Sequence, residues 1–84
     1  MSMRILIIED ELSIASFIKA SLESQFYIVD VASDGEVGAL LGRTGKYDLI
    51  ICDYLLPKKN GLEVIKEIRR DHATPIIMLS LIHI

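Results

Sequence analysis

Two apolar runs, MRILIIE at residues 3–9 and YDLIICD at 47–53, constrain the fold of this chain more than any other feature. Neither alternates apolar with polar residues, so neither suits a sheet with one wet face. Continuous apolar runs of this length suit strands buried on both faces, which a parallel sheet with helices on each side provides. No apolar run reaches the about 18 residues of a membrane span. The amino-terminal MSMRILIIED also lacks a signal-peptide layout, so a cytoplasmic protein with no membrane partner is expected.

Between and after these runs the period changes. ELSIASFIKASLESQF, residues 11–26, places Ile14, Phe17, Ile18, Ser21 and Leu22 on one helical face. YIVDVA, residues 27–32, is short and β-branched, and Asp30 in its middle predicts a strand at the sheet edge. Asp34 is a candidate N-cap for a short helix with Val37, Leu40 and Leu41 as its apolar face, ended by Gly42 and Gly45. Asn60-Gly61-Leu62-Glu63 resembles a capping box and opens a helix whose Leu62, Ile65 and Ile68 point one way. Pro75 starts a last strand, IIMLS. The resulting order, βαβαβαβ, predicts an α/β fold with a parallel sheet and right-handed crossovers, in the flavodoxin-like strand order.

At 84 residues the chain makes one domain, and 51% hydrophobic residues is high for so short a chain, as in a piece of a larger one. A net charge of −3 and the lack of a basic patch argue against nucleic-acid binding. The one cysteine, Cys52, excludes an internal disulfide and any multi-cysteine zinc cluster; within LIICD it reads as a small core hydrophobe.

In a parallel sheet all strands point the same way, so their carboxyl ends share one rim, where open α/β sheets bind ligands. Glu9 and Asp10 end the first strand and Asp53 ends the third, its neighbour in this strand order. Carboxylates packed together repel unless a cation neutralises them. Oxygen ligands without histidine or cysteine nearby favour Mg²⁺. A carboxylate beside such a cation is a plausible nucleophile toward a phosphoryl group, giving an aspartyl phosphate. Taken singly, Asp53 reads more readily as a turn former or cap than as a functional group, and Glu9-Asp10 as dipole-complementing acids at a helix start. The combination is harder to explain as capping. A dehalogenase-type phosphatase would need a second acid two residues after the nucleophile, where Leu55 stands, and a Toprim-type site needs a later acid pair that is missing.

Residues 3–80 resemble the receiver domain of two-component response regulators, a CheY-like fold. The resemblance rests on ILIIEDE (5–11), VASDGEVGAL (31–40), YDLIICDYLLPKKNGLEVIKEIR (47–69) and PIIMLS (75–80), and most specifically on D-x-x-L-P-x-x-N-G at Asp53–Gly61. It implies that Asp53 accepts a phosphoryl group from a sensor histidine kinase, and that such domains catalyse their own phosphorylation and dephosphorylation. It implies Mg²⁺ ligation by Asp10, by Asp53, by the backbone carbonyl of Leu55 and, through a water, by Glu9. Ser80 matches the switch hydroxyl; a hydroxyl satisfying a strand-end backbone group is the other reading of that position. His72 and His83 match no functional position.

The resemblance ends at Ser80, and LIHI at 81–84 does not continue the family pattern. A receiver would add a fourth helix, a fifth strand carrying a lysine that contacts the phosphoryl group, and a fifth helix. The expectation is therefore a truncated receiver with impaired activity. A chemically silent fragment that self-associates, as a homodimer or higher, through an exposed fourth strand is the alternative.

Overall fold

The computed structural model describes residues 2–79, so Ser80 and the tail at 81–84, His83 included, lie outside the described residues. Among the described residues four strands, β1 (Arg4–Ile8), β2 (Ile28–Ala32), β3 (Leu49–Asp53) and β4 (Ile76–Leu79), alternate with three helices, α1 (Leu12–Glu23), α2 (Gly35–Gly42) and α3 (Gly61–Arg69). All strand pairs are parallel and the sheet order is β2-β1-β3-β4. This is the expected CheY-like, flavodoxin-like order. Asp30 does lie on an edge strand, where the Tyr47 hydroxyl donates to it at 2.7 Å and Arg4 pairs with it at 3.3 Å.

The apolar run of β1 reads as continuous because the pleat feeds two cores. Leu6 and Ile8 enter the larger one with Ala32, Ala39, Tyr47, Ile50, Cys52, Val64 and Ile68. Ile5 and Ile7 enter a smaller one with Val29, covered by Ile18 and Leu22 of α1. All four β1 residues are at most 2% exposed; burying each such side chain contributes about 2–3 kcal/mol. β3 splits the same way, with Ile50 and Cys52 buried while Leu49 and Ile51 are half-buried on the thinner α1 side.

The expected helix faces need correction. Phe17 of α1 is 74% exposed, Leu40 of α2 is 68% exposed, and Val37 and Leu62 also face outward. The buried positions of α2 are Gly35, Gly38, Ala39 and Gly42. Small residues face the sheet, α3 and the loop before it, because α2 lies too close to them to admit larger ones. A Cβ at Gly38 would fall 2.6 Å from Ile8 Cγ2, and one at Gly42 would fall 2.5 Å from Ile68 Cδ1. In α3 the inward residues are Val64 and Ile68. The capping expectations are met: Asp34 Oδ1 accepts from Val37 N at 2.8 Å, and Asn60 and Glu63 form a reciprocal capping box.

Candidate functional site

Register builds the site. β1 and β3 pair in parallel as far as Ile8 opposite Cys52, so the next step along both strands sets Glu9 beside Asp53. Glu9 N–H donates to the Ala32 carbonyl at 3.0 Å, which holds the end of β1 in the sheet. One oxygen from each of Glu9, Asp10 and Asp53 lies within 4.8 Å of the others. The three acids singled out in the sequence therefore come together. Their environments differ: Glu9 is fully buried and Asp53 is 3% exposed, whereas Asp10 faces solvent.

Both Glu9 carboxylate oxygens and Asp53 Oδ1 are buried without a hydrogen-bond partner. Buried polar atoms are nearly always paired, and an unpaired carboxylate oxygen is costly. Burial first, and then the Asp53 carboxylate beside it, push the Glu9 carboxyl up to about 7 from an ordinary 4.5. Among the described residues no basic side chain pairs with the cluster: Lys58 goes to Asp34, Lys59 to Glu67 and Arg4 to Asp30. Three clustered carboxylates, two of them with orphaned oxygens, fit a hard divalent cation of the Mg²⁺ kind.

The loop from Tyr54 to Asn60 follows Asp53 directly in the chain, and Leu55 at its start is exposed. Its start is tied down by Tyr54 N donating to the Leu79 carbonyl at 3.3 Å, and its end by Gly61 N donating to the Tyr54 carbonyl at 2.8 Å. Leu56 packs against the larger core. Cys52, one residue before Asp53, is fully buried, and burial pushes its thiol up to about 12. It stays protonated and apolar in behaviour, as its sequence context indicated. His72 sits far from the acids, with its Nε2 at 2.8 Å from the Arg43 carbonyl. The anchoring of the loop by α2, taken up below, is the part that sequence reasoning missed. No local pattern shows that residue 57 will meet residue 35.

Comparison with known proteins bears on the same residues. The response regulator receiver domain family profile matches residues 5–83. Response regulator ArlR of Staphylococcus saprophyticus is 44% identical over 77 residues, covering 92% of this chain and 35% of that protein. The transcriptional regulatory protein DltR of Streptococcus agalactiae is 48% identical over 79 residues, covering 93% of this chain and 35% of that protein. The chain thus spans about a third of the length of these relatives. Among solved structures, the receiver domain of a Pseudomonas aeruginosa sensor histidine kinase superposes with a TM-score of 0.89 at 31% identity, covering 95% of this chain and 68% of that one. It was solved with a magnesium ion coordinated in the active site cleft. A Francisella response regulator receiver domain gives a TM-score of 0.86 at 32% identity, covering 92% of this chain and 64% of that one. No helix among the described residues is long and apolar enough to cross a membrane.

Proposed function

The chain belongs to the response regulator receiver domain family, and from that premise we propose that it is a phosphoacceptor module for two-component signalling. Asp53 takes the phosphoryl group from a histidine kinase, in the cytoplasm. Glu9, Asp10, Asp53 and the Leu55 carbonyl hold Mg²⁺. The observation that carries this reading is the pair of buried acids, Glu9 and Asp53, with orphaned carboxylate oxygens on one rim of the sheet.

Asp53 is fixed by the last β3 position, so its carboxylate is presented without a rotatable loop beneath it. In the transfer, an Asp53 oxygen forms a P–O bond as the donor's P–N bond breaks. The electron pair leaves with the donor imidazole, which takes up a proton. Bound Mg²⁺ supplies neutralisation of the negative charge gathered there. Glu9, held between ionised and neutral near pH 7, is ionised most readily when that neutralisation is present. Among the described residues no basic side chain reaches the cluster, so these residues offer the phosphoryl oxygens no cation of their own. Ser80 would take part as the switch hydroxyl.

The test is intact mass after incubation with Mg²⁺ and a small acyl-phosphate donor. A single phosphate adduct is expected in the parent chain, and none in Asp53→Asn or in excess chelator. An adduct that persists in the variant would overturn the assignment.

A second reading concerns assembly and is compatible with the first. Among the described residues β4 is hydrogen-bonded on one side only, and its Ile77 is 51% exposed. An apolar edge strand is a template for pairing with a second copy. Light scattering at tens of micromolar should then give a dimer mass or higher, and Ile77→Lys should shift it toward monomer. A monomer for the parent chain would remove this reading.

A further inference from the structure

The loop that closes the site rests on the start of α2, and its contacts there are unusually tight. Gly35 N–H donates to the Pro57 carbonyl at 3.1 Å, and Lys59 N–H donates to the same carbonyl at 2.8 Å. The second bond closes a three-residue γ-turn around Lys58, whose φ of 72° lies in the left-handed region. This hand of γ-turn is rare and strained, and a lysine adopts it only when its surroundings hold it there. Two things hold it. The Lys58 ammonium faces Asp34 Oδ2 at 3.7 Å, while Asp34 Oδ1 caps α2. The Gly35 Cα lies directly against the Lys59 carbonyl: a Cβ there would overlap the oxygen and sit 2.7 Å from both the carbonyl carbon and Lys59 Cβ.

We propose that Gly35, seconded by Asp34, is a positioning residue for the acid site: the amino end of α2 fixes the turn at Lys58 and thereby the loop that carries the Leu55 carbonyl. The inference rests on the metal-site reading above. The loop has only seven residues between Asp53 and Gly61, and both of its ends are hydrogen-bonded into the sheet and α3. A displacement forced at Lys59 therefore has nowhere to go except along the loop. A methyl group at residue 35 pushes the γ-turn outward and draws the Leu55 carbonyl off its position. Mutation of groups that orient metal ligands from outside typically costs about 10–100-fold in metal affinity. The Asp34–Lys58 pair is solvent-exposed on the lysine side, so its share is smaller, about two- to fivefold.

The experiment measures the Mg²⁺ dissociation constant by calorimetric titration and stability by urea unfolding, on the same variants. Gly35→Ala is expected to weaken Mg²⁺ binding about tenfold or more and to speed hydrogen exchange at the Lys59 amide of the metal-free chain. Gly42→Ala is the stability control. It clashes with Ile68 and Ile50 at the far end of the same helix, so it should lower the urea midpoint while leaving Mg²⁺ affinity unchanged. Unchanged affinity in a folded Gly35→Ala, or an equal loss in Gly42→Ala, overturns the proposal. If Gly35→Ala does not fold, Asp34→Asn decides. Its amide oxygen still caps Val37 N–H but the charge facing Lys58 is gone, and affinity unchanged from the parent overturns the proposal. Absence of Mg²⁺ binding by the parent chain, or parent-like binding by Asp53→Asn, instead contradicts the metal-site reading. The exchange rate at Lys59 then reports on the α2 contact by itself.

Discussion

Without divalent cations, the chain is expected to lose stability on going from pH 5 to pH 8, by on the order of 3 kcal/mol. The cause is Glu9, whose carboxyl is pushed up to about 7 in the folded state, by burial and by Asp53, from an ordinary 4.5. The folded chain therefore binds the Glu9 proton more tightly than the unfolded chain does. The stabilisation this represents is fully present below pH 4.5 and is lost as pH rises through 7. Two other acids shift the opposite way. Val37 N–H, with smaller help from Lys58, lowers the Asp34 pKa, and Lys59 lowers that of Glu67. Their contributions are lost only as pH falls through their lowered values, below the window in question. Between pH 5 and 8 the slope therefore belongs to Glu9. Urea midpoints measured in chelator at both pH values should show the fall. Millimolar Mg²⁺ should restore much of it at pH 8, because binding to the folded state alone stabilises in proportion to the logarithm of ligand over dissociation constant. A midpoint that is flat or rising between pH 5 and 8 in chelator would mean that Glu9 is not carrying a costly buried charge.

Gly61→Ala should cost about 2–3 kcal/mol of stability, because its added methyl meets the strand that carries Asp53. Gly61 opens α3 and its N–H closes the loop on the Tyr54 carbonyl. An added Cβ would stand 2.6 Å from the Asp53 carbonyl oxygen and 2.9 Å from both Met78 Sδ and Tyr54 Cα. The methionine end can swing aside; the two backbone groups belong to β3 and its continuation and cannot move without disturbing Asp53. The start of α3 must therefore back away from the strand that carries the acceptor. Chemical denaturation should show the loss in stability, and Mg²⁺ affinity should fall with it in whatever fraction remains folded. A variant as stable as the parent, with undiminished affinity, would mean that the strand–helix junction yields more easily than its geometry indicates.

Much of this was legible in the residues themselves, for reasons the structure makes plain. MRILIIE and YDLIICD read as central strands because helices cover both faces of the sheet, leaving no polar alternation to blur the signal. Asp30 marked an edge strand, and on β2 its carboxylate is met by Tyr47 and Arg4. The convergence of Glu9, Asp10 and Asp53 followed from parallel topology alone, since a shared rim collects strand-end residues whatever their separation in sequence. The helix faces were less legible. In α2 the apolar pattern pointed to Val37, Leu40 and Leu41; Leu41 does pack against the core, but the buried positions are Gly35, Gly38, Ala39 and Gly42. Periodicity rewards bulk, and close packing here demanded its absence. The unequal burial of Glu9 and Asp10 was also hidden, because nothing in the sequence shows that Glu9 N–H is tied to the Ala32 carbonyl while Asp10 faces solvent. The γ-turn at Lys58 is invisible in PKKNG, as nothing in those letters shows a second helix waiting against the Pro57 carbonyl.

The central claim is that Asp53, among the three clustered acids, accepts the phosphoryl group. The most direct measurement is borohydride reduction of the acyl-phosphate-treated chain followed by peptide mass mapping, since an aspartyl phosphate is reduced to homoserine at the residue that carried it. Homoserine at position 53, formed only when Mg²⁺ was present, is the expected result. Homoserine at Asp10 or elsewhere, or none in a chain shown by circular dichroism to be folded, would contradict it.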